Sequence, residues 1–141
     1  MFDKLNEINW LAVLVAGFAM FMIGGVWYGA VFAKLWQRLH GYTDEQVKAM
    51  QKARPPQVFF SIMIVAYLLG ALVMSVFVVN LNLRGAFGGA VFGAFLWLFA
   101  TTAIGLTDHI SRTRPFAAYM LDSAYQLVAF IAAGAILAAW R

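Results

Sequence analysis

The sequence predicts an all-α protein: an integral membrane bundle of four transmembrane helices, with a short amphipathic cytoplasmic helix between the first and second. Three observations carry this reading. Of 141 residues, 64% are hydrophobic and 11% are charged, too little charge for a soluble domain of this length. The apolar residues fall into four continuous runs, and each is long enough to cross about 30 Å of hydrocarbon at about 1.5 Å per residue. The basic residues gather in the first and third connections between those runs. Continuous runs, rather than alternating ones, argue against barrel strands. Little chain lies outside the runs, so residues 1–141 read as a single domain with no separate soluble catalytic module.

The first run is Ile8 to Phe32 (8–32). The residues before it, Met1-Phe2-Asp3-Lys4-Leu5-Asn6-Glu7, form no basic region. The run also exceeds the usual apolar core of a signal peptide and lacks a small-x-small cleavage site, so it reads as a retained span. Gly17, Gly24 and Tyr28 fall on one face of it at helical spacing.

The loop that follows contains Thr43-Asp44-Glu45-Gln46, a capping box in which Thr43 and Gln46 satisfy each other's free backbone N–H. Asp44 and Glu45 suit the positive start of a helix, and Asp44 stands one turn before Lys48. Val47 and Met50 give a narrow apolar edge. The expected element is a short helix on the membrane surface that ends before Pro55-Pro56, serving as a connector or as a docking site for a partner.

The second run is Val58 to Val79 (58–79) and the third is Gly85 to Leu106 (85–106). Only Asn80-Leu81-Asn82-Leu83-Arg84 joins them, which predicts antiparallel neighbours. The third opens Gly85-x3-Gly89-x3-Gly93, a small-residue face for close helix packing, within one protomer or between copies. The fourth run, Phe116 to Trp140 (116–140), ends rich in alanine, with Gly134 among them. Both basic loops close on Arg-Pro, at Arg54-Pro55 and Arg114-Pro115, and proline suits the first turn of a helix. Trp10, Trp36 and Trp140 fall near the expected interfaces. Gly24-Gly25-x3-Gly29-Ala30 recurs as Gly88-Gly89-x3-Gly93-Ala94, but late in one run and early in the other, so duplication is not inferred.

Charge placement sets the expected orientation. Lys34, Arg38, Lys48, Lys52, Arg54, Arg112 and Arg114 lie on one side, and only Lys4, Arg84 and Arg141 on the other. The positive-inside rule puts the larger group in the cytoplasm. The expectation is a multi-pass protein of the bacterial inner (cytoplasmic) membrane with both termini on the non-cytoplasmic side. Topology and anionic lipid account for the basic residues, so no nucleic-acid partner is expected. The chain has no cysteine, which excludes disulfides, thiolate metal sites and cysteine nucleophiles. Phosphate loops, nucleophile elbows and zinc helices are absent, and no cofactor is expected. His109 adjoins Asp108, with His40 at the same membrane face, but neither spacing is a helical ligand pair, so no metal is expected. Asp108 and His109 read as the wet C-terminal end of the third helix, where the dipole favours a protonated imidazole.

A polar layer follows from helical spacing. Trp97, Thr101 and Asp108 count onto one face of the third helix. On the fourth, Tyr119, Asp122 and Gln126 stack at steps of three and four, flanked by Ser123 and Tyr125. Asp122 lies about 10 Å along its helix from the start, and Tyr28 lies at a similar depth. Tyr28, Tyr119, Asp122 and Gln126 would form the layer, with Asp108 and His109 at its cytoplasmic mouth. A carboxylate in hydrocarbon is costly and needs a reason. Three remain open for Asp122: a structural acceptor bonded by tyrosines or paired with Arg112 or Arg114, a protonatable or cation-binding group on a transport path, and a catalytic acid or base.

The chain resembles the bacterial membrane protein family catalogued as domain of unknown function 1761. The resemblance runs over almost the whole chain, through Asn9-Trp10, Gly25-x-Trp27-Tyr28-Gly29 with Phe32, Lys34 and Trp36, then Gly41-Tyr42-Thr43-Asp44-Glu45, the glycine-rich third helix, and Asp122 with Gly134. It departs at Ala30, where the family pattern often carries proline. The resemblance implies a four-span membrane protein and no particular activity. The leading expectation is a homo-oligomeric transporter or channel for a small solute or ion, with Asp122 as its protonatable or coordinating group. The alternatives are an accessory protein packed against another membrane protein through its glycine faces, and, more remotely, an intramembrane lipid-modifying enzyme.

Overall fold

A computed structural model describes residues 4–141. Leu5–Glu7 form a 3-10 turn, and α1 (Trp10–Val26) runs directly into a π-turn at Trp27–Val31. Then come α2 (Ala33–Leu39), α3 (Asp44–Ala53) and α4 (Pro56–Asn80). The third long helix is α5 (Ala86–Phe99), a π-segment (Ala100–Leu106) and α6 (Thr107–Ser111), and α7 (Phe116–Ala139) closes the chain. The described residues contain no strand. Four helices among them are long and apolar enough to cross a membrane: Trp10–Val31, Pro56–Asn80, Ala86–Ser111 and Phe116–Ala139. The chain is therefore an all-helical membrane protein, as its composition predicts.

Local chemistry sets the helix ends. The Asn9 side chain accepts the Ala12 N–H at 3.1 Å and caps α1. Thr43 and Gln46 form the reciprocal capping box that starts α3. Asp44 does not turn to Lys48: its carboxylate accepts a 2.6 Å hydrogen bond from Gln37 Nε2, which ties α3 to α2. Pro56 takes the first helical position of α4, while Pro55 and Pro115 stand at the caps of α4 and α7. The third long helix outruns its predicted end because Thr107–Ser111 stay helical, so Asp108 and His109 sit within its last turns.

The core is made of small side chains. Ala12, Ala16, Ala71, Ala129 and Ala133 are buried, with Met20, Met74, Val78 and Leu137 between them. Large apolar residues point outward instead; Phe87 is 83% exposed. That inversion suits lipid, where close packing rather than water exclusion holds helices together.

Helix α7 packs on α5, α1 and α4, and α5 and α7 nearly touch backbone to backbone. A Cβ on Gly89 would lie 1.9 Å from the Gly134 carbonyl oxygen, and one on Gly93 would lie 2.1 Å from that of Phe130. Gly17 lies against Leu68, and Gly24 against the Tyr125 hydroxyl. The Gly89–Gly93 face is thus filled within the chain and is not free for a second copy. Gly85 does not belong to it: this glycine starts α5 at φ +79, with open space where a Cβ would be. The second and third spans, expected as antiparallel neighbours, meet only lightly, with the Phe77 and Phe92 rings 6.1 Å apart between centroids. The short link permits contact, but α4 packs mainly on α1 and α5 on α7, because the glycines that allow close approach face α7.

The end that holds both termini is tied shut. Arg141 pairs with Glu7 at 2.9 Å, and the same guanidinium reaches the Val78 and Leu83 carbonyls at 3.5 and 3.4 Å. Its hydrogen bond holds the Glu7 carboxyl below the ordinary 4.5. Asn9 Nδ2 donates to the Trp140 carbonyl at 2.7 Å.

Replacing Gly89 by valine forces α5 from α7 and should cost about 2 kcal/mol or more of bundle stability. Gly88→Val, which meets no atom within 4 Å, should be nearly neutral. Thermal unfolding of the two variants in detergent checks the contrast.

Candidate functional site

The polar residues meet at the opposite end, the basic end of the bundle. Two interruptions of regular helix frame the site. In the first span the Phe32 N–H bonds the Trp27 carbonyl at 2.8 Å, five residues back. Phe32 then leaves helical geometry, with φ −116 and ψ 12. The chain turns, and α2 folds back against α7 instead of running out as a loop. In the third span Ala100–Leu106 widen into π geometry. Hydroxyls hold the carbonyls there: Thr101 Oγ1 donates to Trp97 O at 2.6 Å, and Thr107 Oγ1 to Ile104 O at 2.8 Å. Widened turns of this kind recur at functional sites.

Asp122 stands between these two features. Its Oδ1 accepts a 2.7 Å hydrogen bond from the Tyr28 hydroxyl. Its Oδ2 lies 3.3 Å from His40 Nε2. The His40 side chain is 3% exposed and that of Asp122 34%. His40 is stacked on Trp36 at 4.5 Å between ring centroids, and Tyr42 lies parallel to it at 6.2 Å. Tyr28 packs edge-on against Trp36 and Tyr125. An aromatic wall therefore encloses the carboxylate on the α1 and α2 side.

The hydrogen-bond directions determine where a proton must be. His40 Nδ1 lies 2.9 Å from the Trp36 carbonyl oxygen, which only accepts, so Nδ1 carries hydrogen. In a neutral ring Nε2 would then be a bare acceptor facing a carboxylate oxygen. The His40–Asp122 contact is attractive only with a proton between the two groups, on the imidazole or on the carboxyl. Tyr28 already donates to the other oxygen. The arrangement is an imidazole and a carboxyl in contact, their orientation fixed by one backbone carbonyl and one phenol.

Beside the pair is a cavity of about 150 Å³. Thr101, Gly105, Asp108, His109, Arg112, Arg114, Tyr119, Ser123 and Gln126 line it together with His40 and Asp122. Asp108 pairs with Arg112 at 2.8 Å, each side chain more than half exposed, at the mouth. His109 packs against Tyr119 at 5.3 Å between ring centroids. The Ser123 hydroxyl is buried and has no hydrogen-bond partner, and the same is true of Trp27 Nε1. No three His, Asp or Glu residues among those described converge as a metal site.

The layer predicted from spacing is partly assembled. Tyr28 bonds Asp122, while Gln126 and Asp108 line the cavity without touching it. Tyr119 gives its hydroxyl to the Thr101 carbonyl at 2.8 Å rather than to Asp122. Trp97 and Thr101 face α7, where Trp97 Nε1 donates to the Ser123 carbonyl at 2.8 Å. Asp108 lies further along the same span, past the π-segment, and lines the cavity together with Thr101 and Gly105. Neither Arg112 nor Arg114 pairs with Asp122: Arg112 is engaged by Asp108, and His40 takes that place. Sequence reasoning missed His40 as the partner and Trp36 as its support, having placed Trp36 at an interface. The available signal was Trp36-x3-His40, one helical turn apart just before Gly41, a glycine whose φ of +70 ends α2.

Tyr28→Phe leaves the ring packing but removes one donor from Asp122. It should destabilise the bundle by about 2 kcal/mol, whereas Asp108→Asn, which breaks an exposed pair, should cost under about 1 kcal/mol. Chemical or thermal unfolding in detergent measures both.

No curated protein and no solved structure matches the chain. A family model does, over residues 11–138, described as a protein of unknown function (DUF1761). That match reaches into all four spans, from Leu11 to Ala138, and the chain belongs to this family of proteins of unknown function.

Proposed function

We propose that the chain is a multi-pass protein of the bacterial inner membrane that moves a small solute or ion together with a proton, and that His40 and Asp122 carry the proton. The basic end faces the cytoplasm in this reading, because Lys34, Arg38, Lys48, Lys52, Arg54, Arg112 and Arg114 belong there by the positive-inside rule. One observation carries the reading: Nδ1 of His40 is committed to a carbonyl, so its Nε2 and the Asp122 carboxyl hold a proton between them beside a polar cavity. An acid inside a span and next to a cavity suits a proton relay. Tyr28 orients the acid, Tyr119 and Gln126 shape the cavity, and Asp108 and His109 stand at its mouth.

The accessory reading has its own support. Half of the bundle is packed solid by alanine, methionine and leucine, and Asp122 already has two polar neighbours. An oligomer or a membrane partner would need a face other than Gly89–Gly93. Gly25 and Gly29, four apart on the first span with open space at each Cβ position, offer one.

The two readings separate in proteoliposomes loaded with a pH-sensitive dye. Transport requires acidification driven by a proton or solute gradient in the wild type and at least a tenfold loss in Asp122→Asn and His40→Gln, both folded. Equal rates in wild type and both variants, or none above protein-free vesicles for inorganic and carboxylate ions, would leave the accessory reading in place.

A further inference from the structure

We infer that the cavity beside Asp122 binds a small anion carrying a carboxylate or phosphate-like group, held by Arg114 and admitted together with the proton on His40–Asp122. The inference deepens the proposed function and rests on its reading of that pair. The charges lining the cavity support it. Arg112 and Asp108 neutralise each other in their 2.8 Å pair. His40 and Asp122 with one proton are neutral as a unit, wherever the proton sits. Arg114 is left: it lines the cavity and makes no ion pair or hydrogen bond with a described residue. The protonated cavity therefore carries one uncompensated positive charge, and its complement is an anion.

A second observation is independent of charge. The Ser123 side chain is 5% exposed and lines the cavity, and its hydroxyl finds no partner. A buried hydroxyl without a hydrogen bond is costly, and a turn of the Ser123 side chain toward the cavity would let an oxyanion there accept from it. Gln126, on the turn after Ser123, and His109 on α6 also line the cavity. The volume of about 150 Å³ is below the roughly 300–1,000 Å³ of sites for drug-sized ligands. It suits a few non-hydrogen atoms, such as inorganic phosphate or a short carboxylate. The same chemistry is presented by an anionic lipid headgroup, which could enter from the membrane surface where Arg114 lies.

The sign of the pH dependence follows. The titratable and charged groups around the pair are Tyr28 from the first span, Tyr42 beyond α2, Asp108 and His109 from α6, Arg112 and Arg114 just after it, and Tyr119 from α7. When the pair loses its proton it becomes negative and cancels Arg114. Anion binding is then tighter at low pH and weaker at high pH. His109, if charged, acts in the same direction. Asp122→Asn therefore distinguishes the pair, since it removes the negative charge without touching His109.

The test is equilibrium binding to the full chain in nanodiscs. With neutral phosphatidylcholine discs, inorganic phosphate and acetate are titrated and read by calorimetry. With discs containing phosphatidylglycerol, lipid retained through purification is counted. Arg114→Gln and Ser123→Ala should each weaken binding by about tenfold, and Lys48→Gln, an equal change of charge on α3 away from the cavity, should leave it unchanged. In Asp122→Asn binding should persist with its pH dependence flattened. Free-anion binding lost in Arg114→Gln identifies a soluble anion as the ligand. Retention of phosphatidylglycerol, lost in the same variant and without free-anion binding, identifies a headgroup. Binding of neither, or binding equal in wild type and Arg114→Gln, overturns the inference. Binding does not require movement, so an anion that binds without proton flux would refute the transport reading alone, and flux without anion binding would refute this one alone.

Discussion

A carboxylate inside a membrane helix must have donors within reach, and the basic end of this bundle is arranged around that requirement. Asp122 cannot be hydrated as it would be on a soluble surface, and a bare charge in hydrocarbon costs several kcal/mol. Tyr28 supplies a donor from the first span, and His40, at the end of α2, meets the other carboxyl oxygen. Both require irregular backbone. The π-turn at Trp27–Val31 and the break at Phe32 bring α2 back beneath the bundle. Trp36 then fixes the imidazole twice, through its carbonyl and through its ring.

The other end follows a different rule. There the helices meet through glycine and alanine, so close that a single methyl at Gly89 or Gly93 would overlap backbone atoms. Arg141, Glu7 and Asn9 close that end with polar contacts that reach across the chain. One half of the molecule is thus closely packed, and the other holds a cavity and two widened helical turns.

Much of this was legible from residue spacing. Continuous apolar runs fixed the number of spans, and the chemistry of Thr43, Gln46 and Pro56 placed the start of α3 and α4 to within a residue or two. Asp122 stood out because acids are expensive in such runs, and Tyr28 was placed at its depth by counting rise per residue. The partner of Asp122 was not legible. Helical counting assumes a constant turn, and this chain departs from it at Trp27–Val31 and at Phe32, so spacing alone does not bring His40 to Asp122. Short links likewise imply contact between the spans they join, yet Gly89, Gly93 and Gly134 direct α5 onto α7 instead of α4. Both failures arise where tertiary packing overrides a local rule.

The most direct test is the state of the His40 ring, read by nitrogen-15 NMR of histidine-labelled protein in lipid, with His40 assigned through His40→Gln. The expected spectrum has hydrogen on Nδ1 throughout, and an Nε2 signal that is hydrogen-bonded near neutral pH and changes sharply in Asp122→Asn. A ring with hydrogen on Nε2 and a bare Nδ1, or an Nε2 signal indifferent to the loss of the Asp122 charge, would contradict a proton held between His40 and Asp122.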